Sequence, residues 1–200
     1  MNNKSYLLIL ILILLSIVGI PQVKAEEINS TYYLSLGGGL LVPEDEEVRK
    51  VFDNFPKLSI GVSSYYGDFG AFDGTFSYLK KGINTEGYSD GEWRILHFKA
   101  TARKTFPITT SAFYLGSGVI YMHVKETNFD LQEIGSNDAE RTRSKISIIF
   151  LGGIDLTIDK NNKFKIYVEG SYAGATVKDS NENEVGIGGV MFEAGLRVKL

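Results

Sequence analysis

Two histidines, His97 and His123, and no cysteine are all that the 200-residue chain offers for imidazole or thiol chemistry. Without cysteine there is no thiol nucleophile, thiolate metal site, disulfide or acylated lipoprotein cysteine. A hydrolytic site built on either histidine needs a nucleophile on one side of the ring and an orienting acid on the other. The flanking residues, "HFK" and "HVK", supply neither, so each histidine reads as a polar residue of a lumen or rim. Oxygen ligands are denser in "PEDEE", where Glu44, Asp45, Glu46 and Glu47 could in type hold a hard divalent cation. The spacing of a calcium loop is missing. A solvated acidic loop is therefore expected, with no metal and no other cofactor. That leaves charged residues set within apolar-alternating stretches: the acids Asp73, Asp155, Glu169 and Glu193, and the bases Lys99, Arg103, Lys165 and Arg197. Four of each sign can pair and cancel if the fold brings them together.

The elements that carry these residues all show one pattern. Every second residue is apolar or aromatic, the period of a strand with two different faces. Tyr32, Leu34, Leu36, Leu40 and Val42 oppose Tyr33, Ser35, Gly37 and Gly39; Leu58, Ile60, Val62 and Tyr66 oppose Lys57, Ser59, Gly61 and Ser63. Phe72, Phe76 and Tyr78 oppose Asp73, Thr75 and Ser77, and Leu96, Phe98, Ala100, Ala102 and Phe106 oppose His97, Lys99, Thr101, Arg103 and Thr105. A fifth segment, "SAFYLGSGVIYMHV", is apolar or small on both sides, with Phe113, Leu115, Val119 and Tyr121 as the better outward set. The sixth sets Ile146, Ile148, Phe150, Ile154, Leu156 and Ile158 against Ser147, Gly153, Asp155 and Thr157. In the seventh, "KFKIYVEGSYAGATV", Phe164, Ile166, Val168 and Tyr172 oppose Lys165, Tyr167, Glu169 and Ser171. The terminal "VMFEAGLRVKL" makes eight, each near the 9 to 11 residues of a tilted membrane strand. Eight strands close a barrel just wide enough for side chains to fill.

Composition agrees with this reading. Gly is abundant at 22 residues, Tyr and Phe number 11 and 12, and Pro is scarce at 4, a balance of strands and turns. Connections alternate in length: "GDFG", "PITT" and "DKNN" are tight, whereas "PEDEEVRKVFDNFP", "KGINTEGYSDG", "ETNFDLQEIGSNDAERTRSK" and "KDSNENEVG" are long and polar. Short turns on one rim and long loops on the other are the habit of outer-membrane barrels. In the first long connection, Val48, Val51, Phe52 and Phe55 could form a short amphipathic face that caps the mouth or meets a partner.

The opening "MNNKSYLLILILILLSIVGIPQVKA" has a basic residue, an apolar run too short to span a bilayer comfortably, and small residues at Val23 and Ala25. Residues 1–25 are expected to be a signal peptide, with residues 26–200 forming one barrel domain. Without Lys4 and Lys24 the chain has 19 basic against 24 acidic side chains, a formal charge of −5, so nucleic acid is not an expected partner.

Alternation alone does not decide which face is inside. A soluble lipocalin-like barrel turns its apolar face inward. Here the polar face is rich in Gly, Ser and Thr, which suits a crowded interior. The apolar face places Tyr66, Phe72, Tyr78, Phe106, Phe113, Phe164 and Tyr172 near strand ends, as membrane interfaces favour. The expected fold is all-β: an eight-stranded antiparallel up-and-down transmembrane β-barrel.

On these segments the chain resembles the small OmpA/OmpX-like outer-membrane β-barrel proteins of Gram-negative bacteria. The resemblance implies a structural or surface-interaction role in the outer membrane, with lipid and the barrel-assembly machinery as partners and a possible extracellular partner at the loops. It also implies that Phe192, Ala194, Leu196, Val198 and Leu200 form the terminal assembly signal, although Leu200 replaces the usual terminal aromatic. No appended peptidoglycan-binding domain is expected. Two other readings stay open. A narrow OmpW-like channel for small hydrophobic molecules requires a continuous apolar path or a lateral opening, for which the two-sided apolar fifth segment is the only hint. A lipid-modifying enzyme would be expected to show the His-x-Ser arrangement of the lipid A deacylases, which neither histidine has.

Overall fold

The computed structural model describes residues 30–66, 70–82, 92–127, 140–178 and 184–200. The expected signal peptide lies outside them, as does much of each turn or loop at 67–69, 83–91, 128–139 and 179–183. Eight strands form a closed, wholly antiparallel barrel. They are β1 (Ser30–Pro43), β2 (Phe55–Tyr66), β3 (Ala71–Gly82), β4 (Glu92–Ile108), β5 (Ser111–Thr127), β6 (Glu140–Thr157), β7 (Phe164–Ala173) and, after a small hairpin of β8 (Thr176–Lys178) and β9 (Glu184–Gly186), β10 (Gly189–Lys199). Consecutive barrel strands are neighbours, and β10 closes the circle on β1 with Leu36 opposite Leu196 and Gly37 opposite Gly195. A helix, α1 (Glu46–Phe52), sits in the β1–β2 connection.

The apolar sets face outward on every barrel strand. Leu36, Leu58, Ile148 and Phe150 each expose 60% or more of their surface, and the outward apolar residues encircle the barrel. Water would not tolerate such a belt on a monomer, whereas lipid requires one; the lipocalin-like alternative is overturned by this polarity. Aromatic pairs mark the belt near the tight-turn rim, with Phe106 stacked on Phe113 at 6.0 Å and Tyr66 edge-on to Phe72 at 5.7 Å.

The tight turns are built as their residues dictate. Asp159 receives the backbone N–H groups of Phe164 at 2.7 Å and Asn161 at 3.1 Å, which fold the β6–β7 turn and hold its carboxyl below the usual range. Gly70, which leads into β3, has φ +131, a conformation that L side chains rarely adopt.

The other rim departs from the expected plan. β4 and β5 have 17 residues each and β6 has 18, roughly 55 Å of strand, far more than a bilayer's apolar band needs. The seventh segment does not run on to residue 177. It stops at Ala173, because the Ala175 carbonyl accepts the N–H groups of Ile187 at 2.8 Å and Gly188 at 3.1 Å and turns the chain over the mouth. Consequently β7 pairs only with residues 150–157 of β6, and residues 140–149 of β6 project beyond it with no barrel strand on that side. In the acidic loop, Asp45 accepts the Val48 N–H at the start of α1 (3.2 Å) and the Gly186 N–H of β9 (3.0 Å), tying helix and hairpin together over the mouth.

Candidate functional site: the filled lumen

The inward face is layered. Nearest the long-loop rim it is apolar: Leu41, Phe55, Leu79, Ile95, Met122 and Met191 are all buried, joined by Trp93, which stacks on Phe55 at 6.0 Å, and roofed by Val48 of α1 and Ile187 after β9. Of the amphipathic set expected in this loop, Val48 and Phe55 therefore point into the mouth; the side chains of Val51 and Phe52 lie outside the described residues.

Below the apolar layer lie two carboxylates, each with a lysine. Glu193 on β10 is paired with Lys57 on β2 and also accepts from Ser59 at 2.6 Å and from the Tyr167 hydroxyl. Glu169 on β7 is paired with Lys99 on β4 at 2.5 Å and accepts from Tyr114 at 3.1 Å. Gly37 makes room for this arrangement, since a Cβ there would lie 2.1 Å from the Tyr167 hydroxyl.

Towards the tight-turn rim, two arginines share one aspartate. Arg103 Nε lies 2.8 Å from Asp73 and its Nη1 3.3 Å from Asp155, which is also paired with Arg197 and accepts from Tyr65 at 2.7 Å. The guanidinium groups stack on aromatic faces, Arg103 at 4.2 Å from the Tyr114 ring and Arg197 at 4.2 Å from Tyr167. Every side chain in these ion pairs, from Lys57 to Arg197, is 8% exposed or less.

Seven of the eight charges expected in the lumen are thus brought together. Lys165 is the exception and a correction: no carboxylate among the described residues pairs with it. Its Nζ lies over the rings of Tyr65 at 4.4 Å and Tyr33 at 4.7 Å, because at the tight-turn rim β7 faces tyrosines rather than acids. The fourth cation is Lys57, which sequence reasoning left out of the set. Its parity with Ser59, Gly61 and Ser63 was the available signal. The void left between the charged layers, lined in part by Ser35, Ser63, Asp73 and Glu193, amounts to about 10 Å³, enough for one water.

The histidines part company. His97 is 1% exposed beneath the apolar layer, and neither ring nitrogen has a hydrogen-bond partner among the described residues. His123 is on the outward face, not in the lumen; its Nδ1 is 2.9 Å from Ser144 Oγ on the next strand, and Ser144 also receives the Tyr121 hydroxyl at 3.0 Å. In the acidic loop Glu44 accepts from Tyr172 at 2.8 Å, and no metal-holding acidic or histidine cluster is present among the described residues.

No family model matches the chain, and no curated protein matches it in sequence. Solved structures match over nearly their whole length. Neisserial surface protein A superimposes with a TM-score of 0.61 at 12% identity, covering 86% of this chain and 99% of that one. OprG from Pseudomonas aeruginosa gives 0.63 at 10% identity, covering 86% and 96%. The attachment invasion locus protein Ail of Yersinia pestis gives 0.51 at 15% identity, covering 86% and 97%. This chain has the fold of the small outer-membrane β-barrels. Within that fold, Phe192, Ala194, Leu196 and Val198 share the outward side of β10, the strand that closes the barrel, and Leu200 lies just beyond its end, exposed. Phe192 is 56% exposed in mid-strand, so Phe192→Arg should cost about 2 to 4 kcal/mol, the penalty of a lipid-facing cation near the midplane, with Phe192→Leu nearly neutral. Urea unfolding of the two variants in vesicles checks this; equal midpoints would reject the outward assignment.

Proposed function

We propose that the chain is an outer-membrane barrel with a structural or surface-interaction role, exported by the peptide of residues 1–25 and inserted by the barrel-assembly machinery through its terminal strand. The observation that carries this reading is the filled lumen: two charged layers and an apolar layer roofed by α1 occupy the inward face among the described residues, and the void lined in part by Ser35, Ser63, Asp73 and Glu193 is only about 10 Å³. A channel for small hydrophobic molecules needs an open apolar route, and here Leu41, Phe55, Leu79 and Met122 fill that route themselves. What remains for contact is the long-loop end, facing outward from the cell in this reading, where the β5–β6 hairpin rises past β7. No nucleic acid, metal or cofactor is part of the proposal.

The experiment is conductance of the mature protein in planar bilayers. The unmodified barrel is expected to conduct no more than protein-free bilayers, and a variant carrying Glu169→Ala and Arg197→Ala, which empties part of both charged layers, is expected to open detectably. Large stable conductance from the unmodified barrel would shift the assignment to transport.

One observation favours a second reading. His123 and Ser144 stand directly opposite across β5 and β6, at nucleophile–base distance on the lipid-facing side. A lipid hydrolase would lose turnover of phospholipid vesicles on Ser144→Ala. The main proposal expects no turnover in either form, since no carboxylate among the described residues orients the ring.

A further inference from the structure

At the tight-turn rim, β7 and β10 meet in two successive rows of like charge. Arg197 stands directly opposite Lys165. Two residues further on, the Lys199 N–H donates to the Lys163 carbonyl at 2.7 Å, which sets those two lysines opposite each other at the mouth. Lys199 is also opposite Tyr33 of β1, and Tyr33 is buried on the inward face, so this row belongs to the lumen side. The Tyr33 hydroxyl donates to the Asn162 carbonyl at 2.9 Å and anchors the β6–β7 turn, with Lys163, beside the mouth.

Directly opposed like charges destabilise a sheet. Deeper in the lumen that cost is offset: Glu169 and Glu193 also stand opposite each other, and Lys99 and Lys57 neutralise them. At the mouth the compensation stops. No carboxylate among the described residues forms an ion pair with Lys163, Lys165 or Lys199, and the charges that bear on Lys165 are Arg103 and Lys199, both cations. Asp159 is near enough for Lys163 to act on its carboxyl, but its oxygens already take the N–H groups of Phe164 and Asn161. Arg103 and Arg197 balance Asp73 and Asp155, so three lysines against Asp159 leave the mouth with two positive charges in excess. In the row behind, Arg197 is 3% exposed and its Nε has no hydrogen-bond partner among the described residues.

We propose that Lys163, Lys165 and Lys199 form a binding site for a phosphate monoester at the tight-turn mouth of the barrel. Such a group carries close to two negative charges near neutral pH and presents three acceptor oxygens, which match the excess charge and the three ammonium groups. Lysine binds phosphate as a point charge on a flexible stem. Lys163 and Lys199 are exposed and reach the phosphate from two sides. Lys165, held over the Tyr65 ring at 4.4 Å and the Tyr33 ring at 4.7 Å, forms the floor. In the outer-membrane reading this rim faces the periplasm, which then supplies the ligand; the site itself rests only on the barrel's geometry.

The test is a phosphorus NMR titration of glycerol 3-phosphate with the mature barrel in octyl glucoside micelles, at about pH 8, where the monoester is doubly charged. Dimethyl phosphate, a diester with a single charge, is the control ligand. The unmodified barrel should bind the monoester at least about tenfold more tightly than the diester, and added salt should weaken the binding. The double variant Lys163→Gln, Lys199→Gln alters only exposed side chains, so it should fold normally and bind the monoester at least about tenfold more weakly, the scale of one charge-assisted hydrogen bond. Lys165→Met, which keeps the stem against the rings, should do the same. Lys104→Gln, at the same rim but on the outward face opposite Leu115, should leave the affinity unchanged. Equal binding of monoester and diester, undiminished binding by the double variant, or no binding up to about 10 mM, an interaction of less than about 3 kcal/mol, overturns the site. These readings are made in micelles and do not report location, so recovery of the protein outside the outer membrane would reject the proposed function without touching this site.

Discussion

Asp155→Ala is expected to destabilise the barrel by about 3 to 5 kcal/mol, the cost of leaving buried charge without its partner. Asp155 is 1% exposed and stands between two arginines, Arg103 and Arg197, while also accepting from Tyr65. Its removal leaves Arg197 with ring faces and Arg103 with Asp73 alone in carboxylate contact, and both arginines are only 3% exposed, so bulk solvent does not replace the lost oxygens. Asp155→Asn keeps an acceptor and the side-chain volume, so it should cost less than alanine but still more than about 1 kcal/mol, because hydrogen bonds to a charged acceptor exceed those to a neutral one. Equilibrium urea unfolding in vesicles measures both. An alanine variant within about 0.5 kcal/mol of the unmodified protein, the scatter of an ordinary surface substitution, would mean that Asp155 does not hold the arginines.

Much of this lumen could be read from residue parity. A bilayer forces one face of each strand to be apolar, and a period of two then sends the other face inward without further choice. Asp73, Arg103, Asp155 and Arg197 converge for that reason, though they come from four different strands. The fifth segment was ambiguous for a physical cause that the structure supplies. Ile120, Met122 and Val124 point inward and are apolar because the upper lumen is itself a hydrophobic core, while Tyr114 turns an aromatic ring inward to Glu169 and Arg103 in the charged layers. Polarity ceases to distinguish the faces where the inside is as apolar as lipid.

Other features depend on contacts distant in sequence. Nothing local in "SYAGATV" says that β7 must stop at Ala173; the bonds from Ile187 and Gly188 to Ala175 decide it, and the Ser147 hydroxyl on β6 reaches the Gly174 carbonyl. The extra length of β4, β5 and β6 was hidden because polar residues above the membrane lose the outward apolar signal while continuing to pair, as Arg94 with Lys125 and Lys125 with Thr142. Lys165 has the right parity for an ion pair but sits one layer too low, among tyrosines. Register along the barrel axis, unlike parity, follows from closure and cannot be counted along one strand.

Division of the lumen into an apolar upper layer and charged lower ones has a consequence at their boundary. Lys57 on β2 lies two residues from Phe55 of the apolar layer, and its ammonium reaches Glu193 with only 3% of the side chain exposed. Lys57→Met keeps the length and the packing but leaves Glu193 with Ser59 and Tyr167 as its near donors, so a loss of about 3 kcal/mol or more is expected, as for a broken buried pair. Glu193→Gln alone strands the lysine and should cost a similar amount, although the residue faces away from lipid. Combining the two removes both charges while preserving volume and the acceptor that Ser59 and Tyr167 use. A buried pair replaced as a unit by groups of similar size is often neutral. The double variant is therefore expected to unfold within about 1 kcal/mol of the unmodified barrel, a coupling well above the ordinary non-additivity of neighbours. Strict additivity of the two single losses would show that Lys57 and Glu193 act separately, and that the pair does not hold β2 against β10 across the lumen.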